Sequence, residues 1–466
     1  MSRTLPWLLL CSATAWPQQS FRPEIPKAWD EDALRTMELP LATPDASPVH
    51  ISAERYYAIP AMTVYKTYPL AMPGKTAEEY RAWLMNREPE IVRFDSESLR
   101  TKEDWISAGR SVFEWAVRVV PEPPARLQPT LRFVIRSKGR IEYGSGNCSG
   151  CHERHLENAV IIPGAQLNLE QDWRDRPPRS AVQGQVDSDF ATPWLTPDPN
   201  RLPPDTPVDT LIRLFTRVPS LVPRFNSSPW APAAMPDLIG VRERRYLDRT
   251  GLVQHRGIGD LMRYAALNLG VGNVALSSSY AGYVPNDHVG RPRTLSRFSD
   301  EQLYALALYI YSLEPPKNPN PMDAAAVQGQ KVFQREGCAG CHAPPLYTNN
   351  KLTPAPGFRI PPEHKDKYEI LPVTVGTDPW LAMKTRRGTG YYKVPSLRGV
   401  WYRGPFEHNG SVLRLEDWFD PSRLRDDYVP TGWLGPNPTR AVKGHEFGLK
   451  LNPREKQNLI AFLKTL

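Results

Sequence analysis

Four stretches of the chain carry apolar residues at helical spacing directly behind a capping signal. Thr76-Ala-Glu-Glu79 opens a short helix through Tyr80, Trp83 and Leu84. Thr101 opens another, with Trp105, Ala108, Val112, Phe113 and Trp115 on one face. Ser299-Asp-Glu-Gln302 precedes Leu303, Leu306, Ala307, Ile310 and Leu313 and stops at Pro315-Pro316. Asn452, with Pro453 at the first helical position and Glu455 behind it, precedes Leu459, Ile460, Leu463 and Leu466. One stretch alternates instead: Leu131, Phe133 and Ile135 before Ser-Lys-Gly139, then Ile141 and Tyr143, which predicts a β-hairpin.

These elements repeat. Ala108-Gly109-Arg-Ser-Val112-Phe113 returns as Gln328-Gly329-Gln-Lys-Val332-Phe333. The stretch from Pro236 to Val253 aligns without gaps on Pro395 to Val412, with seven of eighteen positions identical. A capped amphipathic helix closes each copy. The order predicts two related domains, 101–316 and 317–466, behind a proline-rich N-terminal extension at 16–100.

Composition adjusts this picture. The 466 residues include 50 prolines, about twice the usual 5% share, which rules out a coiled coil or a large continuous sheet. The 40% hydrophobic content still supports a core. Lys and Arg exceed Asp and Glu for a net charge of +8; this favours an acidic protein partner or an anionic surface, and without a dense basic cluster it does not predict a nucleic-acid partner. No run reaches the roughly 20 apolar residues of a membrane span. Arg3, the apolar stretch from Leu5 to Ala13 and the small-x-small Ala13-Thr14-Ala15 predict a signal peptide over 1–15, which would remove Cys11 and leave the protein periplasmic or secreted.

The four remaining cysteines fall in Cys148-Ser-Gly-Cys151-His152 and Cys338-Ala-Gly-Cys341-His342, 190 residues apart. Cys-x-x-Cys-His is the attachment pattern of c-type haem: one turn presents two thiols to the two vinyl groups, and the next residue brings imidazole to the iron. Zinc would need a second pair completing one tetrahedral site, and a thiol redox motif a thioredoxin-like setting. The expected cofactors are therefore two covalently bound haem c groups, on Cys148 and Cys151 and on Cys338 and Cys341, with His152 and His342 as proximal iron ligands. Such attachment also belongs outside the cytoplasm, in agreement with the signal peptide.

With two such motifs, a Pro-x-Leu-x-Gly-Val segment in one half, its Pro-x-Leu-Ile-Gly-Val counterpart in the other, and a terminal helix in each, the chain over 101–466 resembles the bacterial dihaem cytochrome c peroxidase and MauG superfamily. The strongest match runs from Val394-Pro395 to His408-Asn409-Gly410-Ser411; His-Asn-Gly, together with Gly444-His445-Glu-Phe-Gly448, is more similar to the dihaem rubber-oxygenase branch. The resemblance implies a mainly α fold of two cytochrome c-like haem domains with long irregular loops and a small β-hairpin insertion. It also implies one low-spin haem that passes electrons and one high-spin haem that meets hydrogen peroxide or dioxygen, with a small redox protein or other electron donor as partner. The implied function is a peroxidase-like oxidoreductase; a dihaem oxygenase cleaving an apolar organic substrate and a non-catalytic electron carrier are the alternatives.

The chain departs from the peroxidase pattern at its ligands. Ser422 stands where the resemblance implies a Met ligand, Asn168 where it implies a His, and Arg249 where it implies a Trp between the haems. Of the other histidines, His155 lies too near His152 to reach the opposite haem face, and the polar settings of His50, His288 and His364 predict solvated side chains. His445 is the candidate sixth ligand of the second haem, His408 a partner of propionate or ligand rather than a ligand itself, and His255 a candidate for the distal pocket of the first haem.

Overall fold

The computed structural model describes residues 21–43, 50–123, 130–156, 160–169, 190–192, 194–207, 233–268, 296–429 and 442–466, with 210, 221, 222, 228 and 230 between them. The signal-like stretch with Cys11, and His288, lie outside the described residues. All four capping signals form reciprocal boxes: Thr76 with Glu79, Thr101 with Asp104, Ser299 with Gln302 and Asn452 with Glu455. The helices they start are Ala77–Met85, Lys102–Glu114, Asp300–Tyr311 and Pro453–Lys464.

Two helix crossings carry the repeat into three dimensions. Lys102–Glu114 crosses Asp300–Tyr311 so closely at Gly109 that a Cβ there would lie 1.9 Å from the Ala305 carbonyl oxygen and 2.9 Å from Tyr309 Cβ. Ala324–Arg335 crosses Pro453–Lys464 in the same way, and a Cβ on Gly329 would lie 1.9 Å from the Asn458 carbonyl oxygen and 2.8 Å from Phe462 Cβ. The ring pairs beside the crossings also correspond, with Phe113 5.2 Å from Tyr309 and Phe333 5.3 Å from Phe462. In each case an absent side chain lets two backbones touch, so the glycine is a packing requirement rather than a turn residue.

The mainly α expectation is corrected to a mixed architecture. Eleven α-helices among the described residues accompany a four-stranded sheet and four two-stranded ribbons. The predicted hairpin is present as Arg132–Ser137 and Arg140–Ser145, turning at Gly139, which has φ 78°. It is the centre of an antiparallel sheet whose edges, Thr67–Pro69 and Arg118–Val120, are three residues long, too short to show alternation in sequence. Both sheet faces are covered. Ile135 meets Tyr68, Tyr80 and Leu84, whereas Val134 enters the main core.

The extension is not a separate arm. Trp29, Leu34, Met37, Tyr56 and Val64 are buried in one cluster with Trp105, Val112, Phe113 and Leu306. Trp29 stacks on Tyr56 at 4.4 Å and donates its indole N–H to the Ile51 carbonyl at 2.9 Å. These residues bring the short helices Glu31–Met37 and Ala53–Ala58 against the first half.

The aligned segments meet across a local pseudo-twofold. The Ala234 amide donates to the His408 carbonyl at 2.9 Å, and the Lys393 amide donates to the Arg249 carbonyl at 3.1 Å. In the alignment, Ala234 matches Lys393 and Arg249 matches His408, so this is one contact made twice, as in an isologous interface. Ribbon pairing repeats it: Leu221 pairs with Ala234 and Leu352 with Lys393, and a Cβ on Gly410 or Gly251 would meet Leu221 or Leu352 at 2.3 or 2.4 Å. Positive φ also recurs in register, at Asp248 (68°) and Glu407 (66°) and at Gly251 (65°) and Gly410 (69°). These left-handed residues re-aim the chain identically in both halves.

Candidate functional site

In both Cys-x-x-Cys-His motifs the chain makes one tight turn: the His152 amide donates to the Cys148 carbonyl at 2.9 Å, and the His342 amide to the Cys338 carbonyl at 2.8 Å. Burial pushes the Cys148 and Cys338 thiols up to about 12 and about 11 respectively, so both are neutral. His152 Nδ1 donates to the Pro236 carbonyl at 2.9 Å, and His342 Nδ1 to the aligned Pro395 carbonyl at 3.1 Å. A carbonyl only accepts, so the Nδ1 atoms carry the protons and each Nε2 keeps its lone pair for a metal. Burial further disfavours protonation of His342.

His342 lines a cavity of about 290 Å³ between the two halves, together with Cys338, Cys341, Tyr392, Glu407, His408, and His445. The His342 and His445 ring centroids are 6.3 Å apart. Two metal–imidazole bonds of about 2 Å each, plus two ring radii of about 1.1 Å, give nearly that spacing. Burial, followed by the neighbouring His342 and Arg423, lowers His445 to about 3, so it is a neutral imidazole, and its Nδ1 has no hydrogen-bond partner among the described residues. His445 has φ 49°, an uncommon conformation for a non-glycine residue.

The cavity is also cationic. Arg249 donates to the Ala234 carbonyl at 3.1 Å, Arg244 to the Ile239 carbonyl at 2.7 Å and to that of Asp237, and Lys393 to the Tyr246 carbonyl at 3.3 Å. Among the described residues, none of the three cationic side chains hydrogen-bonds a carboxylate. Burial lowers Arg249 to about 10 and Lys393 well below its ordinary value, and the neighbouring cations act in the same direction. Buried cations held by carbonyls favour an anion beside them. Paired thiols, opposed neutral imidazoles and a cationic wall therefore fit a haem and its propionates.

The other sequence candidates are placed as follows. His408 is 6% exposed, lies at 4.9 Å from the Tyr392 ring and lines the cavity. His255 Nδ1 donates to the Arg244 carbonyl at 2.7 Å and Nε2 accepts from the Tyr311 hydroxyl at 2.6 Å. Asn168 ties down the strand after the first motif, accepting from the His155 amide at 2.9 Å and donating to its carbonyl at 2.6 Å. The solvated expectation for His50 and His364 is corrected: His50 Nε2 meets Glu38 at 2.9 Å, and His364, 5% exposed, shares a 2.9 Å hydrogen bond with the Tyr391 hydroxyl. Distant partners satisfy these rings, so their polar sequence neighbours do not determine their exposure.

Sequence reasoning missed Glu407 and Arg423. Glu407 Oε1 is buried without a hydrogen-bond partner among the described residues, and burial, against Arg423 and Arg249, pushes the carboxyl up to about 7. Its alignment with Asp248, acidic at the same step of the repeat, was the available signal. Arg423 is 1% exposed and had no local signal.

No family model matches the chain. It is similar to cytochrome-c peroxidase IdrP1 of Pseudomonas sp., with 29% identity over 167 residues covering 32% of this chain and 41% of that protein. It is also similar to the methylamine utilization protein MauG of Methylorubrum extorquens, with 27% identity over 148 residues covering 31% of this chain and 35% of that protein. The chain thus matches about two fifths or less of these relatives' lengths. Among solved structures, the diheme peroxidase BthA of Burkholderia thailandensis aligns over 85% of this chain and 94% of its own, at 16% identity and TM-score 0.27. The resemblance to the dihaem cytochrome c peroxidase and MauG superfamily is supported by these relatives.

Proposed function

We propose that this chain is an exported dihaem c-type oxidoreductase built from two related haem domains, which reduces hydrogen peroxide or activates dioxygen. The observation that carries this is the duplicated proximal construction, His152 on the Pro236 carbonyl and His342 on the Pro395 carbonyl. Cys148 and Cys151 would hold one haem and Cys338 and Cys341 the other, each through two thioethers. When bound, the haems supply the redox couple and the iron at which a peroxide O–O bond is cleaved.

His342 and His445 would hold the iron of the second haem, which would then serve as the low-spin electron relay. Arg244, Arg249 and Lys393 would receive propionate charge. Asn168 is committed to His155, which favours the first haem as the one open to peroxide. A small redox protein, acidic to match the net charge of +8, would deliver the electrons.

The test is the pyridine haemochrome and EPR spectrum of the purified full chain, before and after reduction and peroxide addition. Two haems per chain, one low-spin and one high-spin, with peroxide reoxidising the reduced protein, are expected. Fewer than two haems would overturn the cofactor assignment. Two low-spin haems indifferent to peroxide would overturn the enzyme and leave an electron carrier.

A further inference from the structure

Arg423 sits in a short turn, Pro421–Leu424, yet three of the four hydrogen bonds its side chain makes among the described residues go to another segment. Its Nε donates to the Trp418 carbonyl at 2.8 Å, Nη1 to the Val442 and Gly444 carbonyls at 3.3 and 3.1 Å, and Nη2 to the His445 carbonyl at 2.8 Å. The guanidinium lies 5.6 Å from the Trp418 ring centroid, and that ring meets His445 edge-on at 5.2 Å. From the other side, the His445 amide donates to the Val375 carbonyl at 2.6 Å. Gly444, at φ 84°, lies so close that a Cβ would fall 2.3 Å from that same carbonyl oxygen. His445 is therefore held in its left-handed conformation between a carbonyl and a buried guanidinium.

Carbonyl oxygens of consecutive residues in a loop ordinarily face water or a neighbouring amide. A fork of five N–H donors in a fixed plane can collect several of them at once, and a lysine ammonium cannot reproduce that plane. We propose that Arg423 is the positioning residue of the second haem: by clamping the Val442, Gly444 and His445 carbonyls it fixes the distance and rotation of the His445 imidazole opposite His342. This rests on His445 being the sixth ligand. The clamp keeps the His445 ring from swinging away, so an outside ligand would have to displace a ring that is held in place.

The test uses the full-length holoprotein with its two haems counted. In Arg423→Met, the apparent affinity of the second haem for added cyanide is expected to rise about ten- to a hundredfold. Its low-spin EPR g values should also shift, because g anisotropy follows the mutual rotation of the two imidazole planes. Arg423→Lys retains the charge without the fork and should still move both readouts. It also stands as the second variant if Met impairs folding. His445→Ala is the reference for the underlying reading. If it leaves the low-spin signal unchanged, His445 is not the ligand and the proposal falls with that assignment. If it abolishes the signal while folded Arg423 variants retain wild-type g values and cyanide affinity, the ligand assignment stands and the positioning role is overturned.

Discussion

At the same step of the repeat the first half carries Asp248-Arg249 and the second Glu407-His408, both acids at positive φ and both within the central cavity. Asp248 is held by a buried ion pair with Arg387, by the Tyr264 hydroxyl at 2.8 Å and by the Arg249 amide at 2.7 Å. Glu407 instead has an oxygen without a hydrogen-bond partner among the described residues, and His408 Nδ1 lies 3.9 Å from the other. The close glycine crossings and the contacts of the proximal histidines with a proline carbonyl, by contrast, recur in both halves. The duplicated scaffold thus holds its shape through backbone contacts, while the side chains projecting into the cavity are free to diverge.

The strongest way to break this comparison is at the crossings. Gly109→Ala and Gly329→Ala each place a Cβ 1.9 Å from a carbonyl oxygen, a clash that flexible side chains cannot relieve. Each should cost about 4 kcal/mol or more, measured by urea unfolding of the holoprotein. Equal losses in the two variants are expected; a wild-type midpoint in one would show that the two crossings are not equivalent.

Next in size is Asp248→Asn. Asn tolerates positive φ, so the backbone is preserved while Arg387, with its side chain 4% exposed, loses its buried counter-charge. A loss of about 3 kcal/mol is expected. A neutral result in the same unfolding assay would mean that the pair contributes no more than a surface bridge.

How much of this was legible in the sequence depends on the range of the interaction. Thr76, Thr101, Ser299 and Asn452 could be located because a cap acts within four residues, and the motif histidines because their chemistry is local. The register of Pro236–Val253 on Pro395–Val412 could also be found, and it anticipates the reciprocal amide contacts. The burial of Trp29 and Tyr56 against the Lys102–Glu114 helix could not, because nothing near them in sequence marks that partner. His364 was misjudged for the same reason, since Tyr391 reaches it from 27 residues away. Arg423 looks like an ordinary turn cation until the Val442–His445 segment is folded over it.

The remaining effect has the opposite sign. Glu407 is raised to about 7 by burial, whereas an unfolded glutamate titrates near 4.3. Between these values the folded chain holds a proton that the unfolded chain has lost, so stability falls as pH rises, and the cost is complete above about pH 7. Propionates in the cavity would push the carboxyl further the same way. Glu407→Gln, neutral at every pH, should therefore be more stable than wild type at pH 8, by about 3.6 kcal/mol at the most, and no more stable near pH 4. Urea midpoints at the two pH values measure this directly. The same substitution strategy gives a loss at Asp248 and a gain at Glu407 only if the two aligned acids have been put to different uses. A loss at Glu407 as well would mean that it has a counter-charge equivalent to Arg387, and the asymmetry between the halves would then have to lie at Arg249 and His408.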